Sequence, residues 1–306
     1  MPDWNQILEE LNAVEAAARS QSTFDLVRRR YLKQLHELTG RNVIVYYSGW
    51  LQKPNLSGTE INDEDKNGFM TALHELDHTN GLDLILHTPG GETGATESLV
   101  DYLRSICGSD IRAFVPQLAL SGGTIIACGC KEIYMGKHSS LGPIDPQIGG
   151  IPAHGAIEEF ERAREEVKAD PDNFLVWQPV LSKYPPAFIG RCKKAIQMVR
   201  EMVIDWLRTG MFNEEDSSVA LQKSTHIADT LIDAEIFKSH DRHIRPEDCL
   251  NIGLKVCFLE DKPDLQDAVL SVHHTCMHTL TGTQAFKIIE NHTGKAFIQL
   301  QAHIPN

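Results

Sequence analysis

The residues of this chain best suited to covalent chemistry are a serine followed by two glycines, Ser121-Gly-Gly123, and a glycine pair closing an apolar run, Gly90-Gly91. Acyl transfer needs a hydroxyl at a sharp strand-to-helix turn and backbone N–H donors aimed where the oxyanion develops. Ser121 stands at the start of a predicted helix, where N–H groups have no partner within the helix. Gly122 offers one such N–H beside the hydroxyl with no side chain in the way. Gly91 can present a second, in a backbone conformation that other residues resist. The same pattern also suits a serine that only caps its helix and glycines that only turn the chain. Motif chemistry leaves both readings open.

Residues 82–146 must position these two turns. Leu82-Asp-Leu-Ile-Leu-His87 is an apolar run ending at the glycine pair, and Leu99, Val100, Leu103, Ile106 and Cys107 give one face of a helix. Ile111-Arg-Ala-Phe-Val-Pro-Gln117 is a second run, the serine turn opens a second helix, and Glu132-Ile-Tyr-Met-Gly136 is a third run. Strand, loop, helix, repeated, predicts a parallel sheet. In such sheets ligands sit beyond the carboxyl ends of the strands. Both special turns therefore fall on one edge.

With 306 residues, 42% apolar and 23% charged, the chain reads as an ordinary globular protein, and its net charge of −13 argues against nucleic acid as a partner. Seven scattered cysteines, without a Cys-x-x-Cys, read as thiols in a reducing compartment. Met1-Pro-Asp-Trp-Asn-Gln6 shows no basic segment followed by an apolar one, so no signal peptide is expected. No run reaches the roughly 18 apolar residues of a membrane span. A cytoplasmic protein without an integral membrane segment is expected.

Cofactor motifs fail on inspection. Pro89-Gly-Gly-Glu-Thr-Gly94 has proline where a dinucleotide fingerprint starts with glycine, and Gly136-Lys-His138 lacks the hydroxyl of a phosphate-binding loop. His274 and His278 stand one helical turn apart, as metal-binding pairs do, but no third ligand is evident. They are read as core or interface residues, and no metal or nucleotide is expected. His87 is read as strand packing.

Thr88-Pro-Gly-Gly91, Ala119-Leu-Ser-Gly-Gly123 and Ser139-Ser-Leu-Gly-Pro-Ile-Asp-Pro146 together resemble the ClpP/crotonase superfamily. The likeness is closer to its signal-peptide-peptidase A branch, and within that to the serine dehydrogenase proteinases. Met135 to Gln147 and Lys287-Ile-Ile-Glu-Asn-His-Thr-Gly294 carry the last step. The resemblance implies an ATP-independent serine peptidase that acts on a peptide or protein, with Ser121 as nucleophile and the Gly91 and Gly122 N–H groups as oxyanion hole. It also implies a homo-oligomer. Where Clp-type peptidases place a histidine this sequence has Asp145, a poor proton acceptor at an ordinary carboxyl pKa. The signal-peptide-peptidase branch uses a downstream lysine, sometimes from a neighbouring subunit. Lys168 ranks first for that role, then Lys183 and His138. A crotonase-like acyl-CoA enzyme and an inactive oligomeric scaffold are the rival readings.

The fold class that follows is α/β: a ClpP/crotonase-like βαβ spiral core with an N-terminal helical arm and a small C-terminal α+β region. The expected division is 1–40 for the arm, 41–210 for the catalytic domain and 211–306 for the C-terminal region, the last ending in a hairpin over Asn291-His-Thr-Gly294. The long helix at 187–209 is expected to offer an oligomer interface.

Overall fold

A computed structural model describes residues 4–17, 22–233, 239 and 241–301. Five strands form a parallel sheet in the order β1 (Asn42–Ser48), β2 (Leu82–His87), β3 (Ile111–Val115), β5 (Glu132–Met135) and β9 (Val256–Phe258). A hairpin of β10 (Ala285–Asn291) and β11 (Ala296–Leu300) adds antiparallel to the free edge of β1. The strands of the expected C-terminal region are thus part of the central sheet. The physical reason is the β1 edge, whose N–H and C=O groups would otherwise lack partners.

Successive strand residues face opposite sides, and both sides are covered. Ile44 and Tyr46 of β1, with Leu84, Ala113 and Ile133, pack under α3 (Asp65–Leu73), α4 (Thr93–Cys107), α5 (Gly122–Cys128) and α8 (Phe188–Thr209). Val43, Val45 and Tyr47, with Ile85, Phe114 and Tyr134, pack under α1 (Trp4–Ala17), α2 (Thr23–Thr39) and α11 (Pro263–Gly282). The N-terminal helices therefore form part of a layer on the sheet. Every residue of β1 and β2 is buried, as expected of parallel strands covered on both faces.

The apolar stripe of α8, expected at an interface, is buried within the chain through Val199, Met202, Val203, Trp206 and Leu207. Exposed apolar surface lies instead on α7 (Phe174–Leu181), where Leu175 is 75% exposed. Among the described residues no helix is long and apolar enough to cross a membrane.

His87, the last residue of β2, is fully buried, its ring 4.4 Å from that of Trp50 and 5.6 Å from that of His273. Neither ring nitrogen has a hydrogen-bond partner among the described residues, and burial pushes its pKa down to about 3. Unfolding returns the imidazole to its ordinary value, so between that value and about 3 the unfolded chain holds the extra proton. Stability is then complete above about pH 6.5 and falls as pH drops, by ~1.4 kcal/mol per unit for one such group. From pH 7.5 to 5 the protein should lose about 2 kcal/mol more than a His87→Leu variant in urea unfolding. Equal losses would contradict the buried neutral state.

Candidate active site

A second, shorter layer brings the two turns together. The Thr88 N–H donates to the Leu118 carbonyl at 3.1 Å, and the Leu120 N–H donates back to the Thr88 carbonyl at 3.0 Å. The short strands β4 (Leu118–Ala119) and β6 (Ser140–Leu141) pair in parallel beside them. The buried Thr124 hydroxyl lies 2.9 Å from the carbonyls of Ala119 and Gly142 and accepts from the Gly142 N–H at 2.9 Å. It thereby ties the serine turn to the loop that carries Asp145.

Ser121 has φ +49° and ψ −112°, a conformation rare for a residue with a side chain, and its hydroxyl makes no capping bond to α5. Helix capping therefore does not account for this serine. Its side chain is only half-buried. Gly90 and Gly91 lie directly across from it. A Cβ on Gly90 would fall 2.7 Å from the Ser121 Cβ and 2.8 Å from the Gly122 nitrogen. The position where a Gly122 Cβ would stand is 3.3 Å from the Gly91 nitrogen.

The special backbone conformation expected at Gly91 belongs to Gly90, at φ +95°. Gly91 is glycine for a different reason: a Cβ there would lie 2.3 Å from both the nitrogen and the oxygen of Ile61. Ile61 grips the turn from both sides. Its N–H donates to the Gly90 carbonyl at 2.8 Å, and its carbonyl accepts from the Glu92 N–H at 2.9 Å. Between these bonds the Gly91 N–H has no acceptor among the described residues, and neither has the Gly122 N–H. Two unpaired donors next to a free hydroxyl can hold a negatively charged oxygen.

The cleft holding these groups has a volume of about 300 Å³ and is lined by Ser121, Gly91, Gly122, Asp145, Glu60 and Glu92, among others. Asp145 is nearly buried, at 5% exposure. Among the described residues no lysine or histidine lines the cleft. Lys168 is exposed on α6 (Ala153–Ala169) and borders a separate cavity of about 580 Å³ with Phe174 and Trp177. Among the described residues that larger cavity is lined by no hydroxyl or thiol, and so offers no such nucleophile. Lys183 is exposed after α7, and the exposed His138 ring packs over Gly136. One chain thus brings together Ser121, Gly91, Gly122 and Asp145, and leaves Lys168, Lys183 and His138 outside the cleft lining.

Glu60, Ile61, Glu92 and Thr124 were not singled out in the sequence. Glu60 and Ile61 belong to the segment 49–62, whose loop-like composition suits a cover over an active-site edge, while Thr124 carries no signal of its own. His278 Nε2–H donates to the Trp4 carbonyl at 3.1 Å, and its ring lies against the Trp4 ring. Among the described residues no group of three or more His, Cys, Asp or Glu is arranged to hold a metal ion.

A profile of the ClpP-like SDH-type serine proteinases matches residues 18–260. Two uncharacterized proteins of Methanocaldococcus jannaschii are similar in sequence. One is 31% identical over 160 residues, 52% of this chain and 50% of that protein. The other is 30% identical over 196 residues, 64% of this chain and 60% of that protein. The match thus spans between half and three fifths of those relatives. Among solved structures, a lysine-to-alanine mutant of the 1510-N membrane-bound stomatin-specific protease in complex with a substrate peptide has a TM-score of 0.39 and 20% identity, over 67% of this chain and 74% of that one. A serine-to-alanine mutant of the 1510-N protease has a TM-score of 0.36 and 17% identity, over 68% and 79%.

Proposed function

The chain belongs to the ClpP-like SDH-type serine proteinases, and from that premise we propose that it cleaves peptide bonds in peptide or protein substrates, without ATP, through an acyl-enzyme on Ser121. The observation that carries this reading is the pair of unpaired N–H groups, on Gly91 and Gly122, beside an uncapped and accessible serine hydroxyl. Ser121 Oγ adds to the scissile carbonyl carbon while its proton passes to the base. The two N–H groups hold the oxyanion. The C–N bond then breaks as the base returns the proton to the leaving amine, and water repeats the sequence on the acyl-enzyme.

The base in this reading is Lys168 of a neighbouring copy in a homo-oligomer. Support comes from the cleft itself, whose lining in one chain contains neither lysine nor histidine. The exposed apolar residues Phe174, Leu175 and Val176 of α7 offer surface for the neighbour to cover. Asp145, Glu60 and Glu92 attract an ammonium but also favour its charged form. A lysine serves as base only when neutral, a form that exclusion of water favours in general. All seven cysteines are free thiols, which suits action in the cytoplasm.

Hydrolysis of a fluorogenic peptide library tests both parts. Ser121→Ala and Lys168→Ala should each be inactive, and mixing the two should restore activity at interfaces that pair an intact serine with an intact lysine. A fully active Lys168→Ala would remove Lys168 as base. Wild-type rates in Ser121→Ala would overturn the peptidase reading.

A further inference from the structure

Resting on the peptidase reading, we propose that Lys287 is a positioning residue for the oxyanion turn, acting through the main chain at residues 60–62. Lys287 lies on β10, far from Ser121 in sequence, and is fully buried. Its ammonium donates to the Glu60 carbonyl at 2.9 Å and to Asp65 Oδ1 at 2.7 Å. Asp65, also fully buried, accepts at Oδ2 from the Tyr46 hydroxyl at 2.7 Å and from the Asn62 N–H at 3.1 Å. The segment is therefore fixed at Glu60 by the lysine and at Asn62 by the lysine's own counter-ion.

Ile61 stands between those two anchors, and Ile61 is the residue whose N–H and carbonyl grip Gly90 and Glu92. The chain of contacts runs from a buried charge pair, through one residue of backbone, to the turn that leaves the Gly91 N–H free. Stability alone is a weak reason for such a pair, because well-packed apolar residues in place of a buried ion pair are often equally or more stable. What an ammonium supplies and an apolar side chain cannot is a directed donor to the Glu60 carbonyl. A carbonyl released there lets Ile61 drift, and Gly91 drifts with it. A displacement of about 1 Å in a catalytic group costs on the order of 10²-fold in turnover.

The test separates positioning from stability. The triple variant Lys287→Met/Asp65→Leu/Tyr46→Phe removes the charges and the hydroxyl together, leaving no buried charge unpaired; the Glu60 carbonyl keeps only the Asn62 side-chain amide, and the Asn62 N–H loses its acceptor. Its melting temperature should stay close to the parent's while kcat falls about 10²-fold and KM stays within about twofold. Lys287→Met alone should speed amide exchange at Ile61 and Glu92 in the folded protein, whereas Ile288→Ala, a destabilising change next to it on β10, should leave kcat near the parent value. A folded triple variant with parental kcat overturns the role. If the triple variant does not fold, unchanged exchange at Ile61 and Glu92 in Lys287→Met overturns it equally. Covalent labelling of Ser121 by a fluorophosphonate is followed in the same preparations. A parent that does not label overturns the peptidase reading and this role with it, while a labelled parent and an equally fast variant overturn this role alone.

Discussion

Ser121→Gly is expected to be more stable than the parent and to hydrolyse nothing. The Ser121 backbone sits at φ +49°, ψ −112°, where a residue with a side chain carries strain of roughly 1–3 kcal/mol. Glycine adopts that conformation without strain but makes the unfolded chain freer, at a cost of about 0.5–1 kcal/mol. Strain relief wins by about 1 kcal/mol, which for a chain of this size raises the melting temperature by about 2 °C. Ser121→Ala keeps the side-chain carbon and the strain, so it should be equally inactive without the gain. Calorimetry of the three proteins beside a peptide assay reads both signs at once. A Ser121→Gly protein that melts several degrees below the parent would mean that the turn is not strained.

Gly91→Ala should lose turnover more than it loses substrate binding. Its Cβ would meet backbone atoms of Ile61 at 2.3 Å, and backbone, unlike the end of a flexible side chain, cannot move aside cheaply. The turn must shift, and the unpaired Gly91 N–H shifts with it. Removing one oxyanion donor typically costs ~10²–10³ in kcat, and overpacking of this kind destabilises by about 1–3 kcal/mol. Assayed well below its melting temperature, the variant should show that fall in kcat with KM little changed. A lowered melting temperature with parental kcat would show that the Gly91 donor takes no part in the chemistry.

Local signals in the sequence located the two turns, because glycines after a strand and a serine before a helix follow from nearest-neighbour chemistry. The same signals could not say which glycine of the pair needs the positive φ. That depends on Ile61, which approaches Gly91 from a separate loop. The hairpin at 285–300 was legible from its turn, but its partner strand was not: β1 lies more than two hundred residues earlier, and nothing in either segment names the other. Lys287 is the extreme case. A lysine in an alternating strand reads as a solvent-facing residue, and only its contact with the Glu60 carbonyl, 227 residues away, makes it part of the site. Lys168 sits on a helix crowded with Glu and Arg, Ala153–Ala169, and its side chain is exposed. Whether a neighbouring copy covers it is a property of the assembly, which one chain's sequence does not encode.

In the proposed chemistry the Ser121 hydroxyl is a nucleophile served by the Gly91 and Gly122 N–H groups. Mass spectrometry of the intact, folded protein after exposure to a fluorophosphonate measures this most directly. One adduct per chain is expected, mapped to the peptide containing Ser121 and absent from Ser121→Gly. An unmodified parent, or an adduct that persists in Ser121→Gly, would contradict it.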